Sequence, residues 1–286
     1  MKYITVAATD KGSYRKTNQD CVLTCKKEIL NDEVSLAVLC DGMGGLKYGD
    51  VASKIAVESF EKWFDDYFSQ TIEFPTKEHL LDEWRRLIAE INTKIYDYAE
   101  SVSTKAGTTL SAILLFRNQY VIGHVGDSRI YKIDREEISQ LTEDHSLVAQ
   151  EVRSGQLTPE QAKTDRRRHL LIRCLGVKKT VEPQFISGDI KKDDSYLLCS
   201  DGLWNKIDNT EMQEEVLNDK EAAENLIQDA RSKNEKDNIS VIIMIGEKKQ
   251  EMPQKSNQRS NQRMIWLCLI TVIAVIIAII LWNRFM

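Results

Sequence analysis

Short β-branched and aromatic runs recur along this chain, each bounded by glycine, aspartate or asparagine, and they constrain its fold more than any other feature. They lie at Tyr3–Ala8, Cys21–Cys25, Leu36–Cys40, Thr109–Phe116, Tyr120–Val125, Arg129–Ile133, Tyr196–Cys199 and Ile239–Ile245. Runs of this length and composition predict strands. Helical periodicity fills the intervals. Gly49 to Phe68 puts Ala52, Ile55, Ala56, Ser59 and Trp63 on one face, and Glu78 to Ser101 does so with Leu81, Trp84, Leu87, Ile88, Ile91 and Ile95. Two further helices are predicted at Asn209–Leu217 and Lys220–Ser232. Strands come in antiparallel-looking groups and helices in pairs between them, which is an α+β layout rather than an alternating βαβ one.

The chain of 286 residues is 42% hydrophobic, enough to bury one large core or two small ones. Its net charge of −5 is spread over acidic and basic residues interspersed along most of the length, without the basic stripe of a nucleic-acid binder. The six cysteines (Cys21, Cys25, Cys40, Cys174, Cys199 and Cys268) form no CxxC pair and no disulfide framework. A reducing compartment is the simple inference.

Three segments are expected. Residues 1–246 form the folded body, within which the polar stretch 151–169 reads as an excursion; its run Arg166–Arg168 reads as a solvated face. Residues 247–263 are a polar linker. From Met264 to Trp282 there is no charge and no proline, about 19 residues or roughly 28 Å of helix, the length of a bilayer core. Tryptophans stand at both ends of this span. Lys248, Lys249, Lys255, Arg259 and Arg263 precede it and only Arg284 follows, so the positive-inside rule keeps the body cytoplasmic, as in a tail-anchored protein.

Aspartates gather at the strand ends. Asp20 opens the run from Cys21, Asp41 ends "AVLCD" before a glycine turn, Asp127 sits in "HVGDSR", Asp201 in "LLCSDGLW" and Asp237 in "EKDNIS". One Asp-Gly after a strand is ordinarily a turn. Five such acids in one body are harder to explain as caps. If four met at one sheet end, their charges would force proton uptake or cation binding. Oxygen ligands suit magnesium or manganese, and two divalent ions neutralise four carboxylates. Paired metals of this kind activate water and clamp a phosphate. Arg15, five residues before Asp20, is a candidate cationic fork for that phosphate, and reads equally well as a surface residue.

The pieces "RKTNQD", "DGMGG", "GTT", "GDSR", "SDGLW" and "DN", in this order over residues 1–246, resemble the metal-dependent protein phosphatases of the PP2C class, bacterial type. The resemblance implies a four-layer αββα sandwich of two antiparallel sheets flanked by helix pairs, to which the anchor adds one transmembrane helix. It implies hydrolysis of phosphoserine and phosphothreonine by a metal-bridging hydroxide. Asp41 would bridge two Mn2+ or Mg2+ ions, the Gly42 carbonyl would ligate one, and Asp201 and Asp237 would complete the core sites. Asp20 would join the metal shell, Asp127 would help hold a third, weaker ion, and Arg15 would bind the substrate phosphate. The excursion 151–169 would be the flap beside the active site.

Two positions depart from the family pattern. Met43 stands where some relatives carry a histidine proposed as the general acid, so protonation would fall to a metal-bound water. Gln19 stands where many have glutamate. His124 reads as structural, and His145 in "TEDHS" resembles a motif with a structural role. The expected partners are phosphorylated proteins, a membrane Ser/Thr kinase among them. The competing reading is a catalytically silent phosphoprotein-binding scaffold.

Overall fold

A computed structural model of the chain describes residues 2–43, 46–71, 73–218 and 221–246. Strands numbered in chain order form two antiparallel five-stranded sheets. The first runs, in spatial order, β1 (Tyr3–Asp10), β10 (Ile239–Gly246), β9 (Ser195–Cys199), β6 (Arg129–Ile133) and β7 (Ile138–Gln140). The second runs β2 (Asp20–Ile29), β3 (Asp32–Asp41), β4 (Leu110–Phe116), β5 (Gln119–Val125) and β8 (Gln184–Asp189). Helices α1 (Gly49–Gln70) and α2 (Lys77–Ser101) cover the second sheet. Helices α5 (Asp201–Trp204), α6 (Asn209–Asn218) and α7 (Ala222–Ser232) cover the first.

Period-two alternation explains why the strands read as unbroken apolar runs. On β3, Val34, Leu36, Val38 and Cys40 join the α1–α2 layer with Phe60, Trp84 and Ile88. The intervening Ala37 and Leu39 pack between the sheets against Ile113, Tyr196, Leu198, Ile242 and Met244. Both faces are buried, so no polar face marks the strand. On β10, Val241 and Ile243 face α7 while Ile242 and Met244 face the other sheet. The result is helix, sheet, sheet, helix, as expected.

The structure corrects several readings. On α1 the buried line is Ala52, Ala56, Phe60, Phe64 and Phe68, whereas Ile55, Ser59 and Trp63 are only partly covered. Strands β7 and β8 were not predicted, because "ISQ" is short and polar and "QFISGD" carries a glycine. The excursion contains two short helices, α3 (Leu147–Arg153) and α4 (Pro159–Thr164). The second is closed by a capping box in which Thr158 and Gln161 satisfy each other's backbone N–H. Among the described residues no helix is long and apolar enough to cross a membrane. The linker 247–263 and the apolar span 264–282 lie outside the described residues.

Register fixes which ends meet. Asp20 pairs with Asp41 at the end of the β2–β3 ladder. Leu39 pairs with Ser111 near the start of β4, and Leu110 with Val125 at the end of β5. In the other sheet Cys199, the last residue of β9, pairs with Val241 near the start of β10. Each predicted aspartate is therefore carried to the same end of the sandwich.

Candidate active site

Asp41 is the last residue of β3, gripped through its backbone by the "GTT" segment. Its N–H donates to Thr109 Oγ1 at 2.9 Å, and its carbonyl accepts from the Thr109 N–H and the Thr108 hydroxyl, each at 2.9 Å. Gly42 follows without room for a side chain, since a Cβ there would lie 2.4 Å from the Gly49 carbonyl oxygen. Its N–H donates to the carbonyl of Gln19 at 3.1 Å, and the Ser53 hydroxyl donates to the same oxygen at 2.6 Å. The Gln19 backbone thus holds the "NQD" and "DGM" segments together, whatever side chain it carries.

Asp20 is buried opposite Asp41. Its Oδ2 accepts from the Ser240 hydroxyl at 2.6 Å, and its Oδ1 has no hydrogen-bond partner. Burial, opposed by the serine hydroxyls and reinforced by the charges of Asp201 and Asp237, pushes its carboxyl up to about 7. Asp41 is raised well above the carboxylate range by burial and then by Asp20, Asp201, Asp127 and Asp237 in turn. Asp127 is raised by burial and by Asp201. Each of these acids thus feels the charge of others across the same end of the sandwich.

Asp201 starts α5, with Ser200 as the preceding residue, so "SDGLW" is a strand-to-helix junction and not a simple turn. Gly202 is forced: a Cβ there would sit 2.1 Å from the Asn238 carbonyl oxygen. The Arg15 fork closes on Asp237, Nε to Oδ1 at 2.8 Å and Nη2 to Oδ2 at 2.5 Å, with both side chains about one-third exposed (39% and 33%). The structure therefore holds Arg15 against Asp237 rather than leaving it alone on the surface.

Sequence reasoning passed over four residues. Asn238 donates to the carbonyls of Lys11 at 2.8 Å and Thr17 at 3.1 Å, and accepts from Gln19 N–H at 2.9 Å, tying residues 11–19 to the start of β10. Ser240 reaches Asp20 from that strand. Trp204 donates from Nε1 to the Asp127 carbonyl at 3.0 Å and stacks under Arg129 at 3.6 Å, which itself forks onto Asp144. This joins "GDSR" to "SDGLW". His169, at the end of the excursion, places Nδ1 3.7 Å from Asp201 Oδ2. A signal existed for Asn238, Ser240 and Trp204, which lie inside the motifs "EKDNIS" and "SDGLW", but none for His169.

The two buried histidines are structural. His124 Nδ1 meets Ser111 Oγ at 3.0 Å and its Nε2 meets the Gly126 carbonyl at 3.0 Å, while His145 Nδ1 accepts the Gly126 N–H at 3.1 Å. Burial lowers His124 to about 4 and His145 to about 3, so both are neutral at pH 7.

The donor set suits hard divalent ions in kind: carboxylate oxygens, a carbonyl at Gly42, and one buried carboxylate oxygen with no partner. In spacing the acids stand apart, and among the described residues no three His, Cys, Asp or Glu side chains close around a single point. Arg15 on Asp237 and Ser240 on Asp20 are the contacts that hold them.

The family model of protein phosphatase 2C matches residues 13–246, so this chain belongs to the protein phosphatase 2C family. Over 242 residues it is 38% identical to the serine/threonine phosphatase Stp of Listeria monocytogenes, covering 82% of this chain and 93% of that one. The crystal structure of serine/threonine phosphatase Stp1 from Staphylococcus aureus superposes with a TM-score of 0.77 at 32% identity, covering 87% of this chain and 96% of the other. The catalytic domain of the phosphatase PstP, in complex with two manganese ions, is similar at a TM-score of 0.72 and 30% identity, covering 85% of this chain and 97% of that one. The chain is a protein serine/threonine phosphatase.

Proposed function

We propose that the five-aspartate end of the sandwich is a divalent-metal centre that hydrolyses phosphoserine and phosphothreonine in proteins. The observation that carries this reading is the burial of Asp20, Asp127 and Asp201 beside the partly covered Asp41 and Asp237, an anionic end of the sandwich that cations or protons make stable. Asp41, the Gly42 carbonyl, Asp201 and Asp237 would hold two core ions, with Asp20 in their shell and Asp127 toward a third. Such ions, Mn2+ or Mg2+, supply the positive charge that acidifies water and clamps phosphate oxygens.

The remaining work falls to the chain. Arg15 has its planar fork already at the site, and on substrate arrival it exchanges part of its bond to Asp237 for phosphate oxygens. Hydrolysis joins a water oxygen to phosphorus and breaks the bond to the serine or threonine oxygen, which takes up a proton. Met43 has no proton to give. Its N–H donates to the Gly107 carbonyl at 3.0 Å, so its part is to shape the turn.

Residues 264–282 fit a single membrane-spanning helix that would tether the body, on the cytoplasmic side, near phosphorylated membrane proteins such as a Ser/Thr kinase. Deleting the chain from Met264 onward and following membrane sedimentation tests the tether; a truncated chain that still pellets with membranes removes it.

The activity is tested on the full-length chain with p-nitrophenyl phosphate and a phosphothreonine peptide, under manganese, magnesium and chelator. Metal-dependent turnover of both is expected. Silence from folded, metal-loaded protein would favour the phosphoprotein-binding scaffold instead.

A further inference from the structure

Three successive arginines stand at the end of the excursion, and the structure gives them unequal work. Arg167 forks onto Glu151, Nη1 to Oε1 at 2.9 Å and Nη2 to Oε2 at 2.7 Å, and also reaches Asp165 at 2.8 Å. It staples α3 to the segment after α4. Arg166 and Arg168 are exposed, and among the described residues neither has a carboxylate within ion-pair distance; Arg168 reaches only the Lys163 carbonyl, at 3.4 Å. One arginine builds the flap and two are spare.

The strip does not float free. Arg168 N–H donates to the Asp165 carbonyl at 3.2 Å, Leu170 N–H to the Arg167 carbonyl at 2.9 Å, and Leu147 N–H to the Leu170 carbonyl at 2.8 Å. The next residue in the chain, His169, lies 3.7 Å from Asp201. Arg168 and Arg166 thus stand one and three positions along the chain from His169, the residue whose ring reaches Asp201. An extended peptide with its phosphate at the aspartates runs outward from them with its first few flanking residues.

Charge sets the preference. Residues 151–169 carry five basic and three acidic side chains, in a chain of net charge −5. The centre itself is anionic and repels acidic flanks; Arg15 is already engaged with Asp237, and these two uncommitted guanidiniums add positive charge on the excursion that leads to it. We propose that Arg166 and Arg168 form a recognition strip for aspartate or glutamate flanking the phosphorylated residue of a substrate. This rests on the phosphatase reading above for where the phosphate sits.

The test uses the full-length chain and three labelled phosphothreonine peptides that differ only in acidic, neutral or basic residues on the flanks. Binding is read by fluorescence anisotropy and, with manganese, kcat/KM is read for each peptide. The wild type is expected to favour the acidic over the basic peptide by about tenfold, from two half-screened ion pairs, and to lose the preference at 0.5 M salt. Arg166→Ala with Arg168→Ala should bring the ratio near one, and Arg166→Glu with Arg168→Glu should invert it. A wild type that does not discriminate, a ratio unchanged in the alanine pair, or a preference insensitive to salt overturns the proposal. Wild-type turnover of p-nitrophenyl phosphate, which has no flanks, reports on the centre alone. Its absence would sink the catalytic reading while anisotropy still decides the strip.

Discussion

Asp20 and Asp41 are cross-strand partners at the open end of the β2–β3 ladder, so two carboxylates occupy one pair position. Like charges placed there oppose folding, and both groups answer by holding protons above the usual carboxylate range. Removing one charge should therefore relieve the metal-free fold while removing the chemistry. Asp41→Asn is expected to raise metal-free stability by about 1 kcal/mol. It should also cut kcat/KM by roughly a thousandfold, about 4 kcal/mol of transition-state stabilisation. Urea unfolding under chelator and phosphatase kinetics under manganese check the two halves; a destabilised variant with near-normal turnover would contradict both.

The same burial predicts a pH response. The folded-state carboxyl of Asp20 titrates at about 7, above its unfolded value of about 4. The folded chain then binds the extra proton in this window. Its contribution to metal-free stability is complete below pH 4 and fades as pH rises through 7. Manganese should suppress the loss. Chelated wild type compared with Asp20→Asn, across pH 5 to 8, isolates it: the variant's slope should be flatter.

His124 works with the opposite sign. Its folded value, lowered to about 4 by burial, lies below the unfolded 6.5, so its contribution is present above pH 6.5 and is lost as pH falls toward 4. The full effect is about 3 kcal/mol. Unfolding free energies of wild type and His124→Gln at pH 7 and pH 5 measure it as the difference between their slopes.

Arg15 is expected to matter for binding more than for turnover. Its fork makes charge-assisted bonds worth about 1.5–3 kcal/mol to an anionic partner, so Arg15→Ala should raise KM roughly tenfold or more with a smaller change in kcat. An unaltered KM would restrict Arg15 to orienting Asp237.

Asn238 carries three hydrogen bonds from one amide side chain to the segment 11–19. Asn238→Ala should cost about 3 kcal/mol of stability at about 1 kcal/mol per bond. It should also loosen Arg15, raising KM for phosphopeptides beyond the stability loss. Thermal unfolding and steady-state kinetics at a temperature where the variant is folded separate the two.

The sequence by itself determined the elements and the chemistry. Period-two and period-3.6 spacing are local properties of the backbone, so eight strands and four helices were legible, and an aspartate at a strand end could be recognised wherever it stood. Strands β7 and β8 and the helices of the excursion were not, since short polar or glycine-bearing stretches owe their form to what they dock on. The tertiary structure alone decided which strand ends meet, because register between distant strands is set by the packing of both faces at once. It brought Arg15 onto Asp237, 222 positions away in the chain. It set His169 beside Asp201 and spent Arg167 on Glu151 while leaving Arg166 and Arg168 for something else. No local pattern encodes such pairings, for they depend on where two sheets end in space.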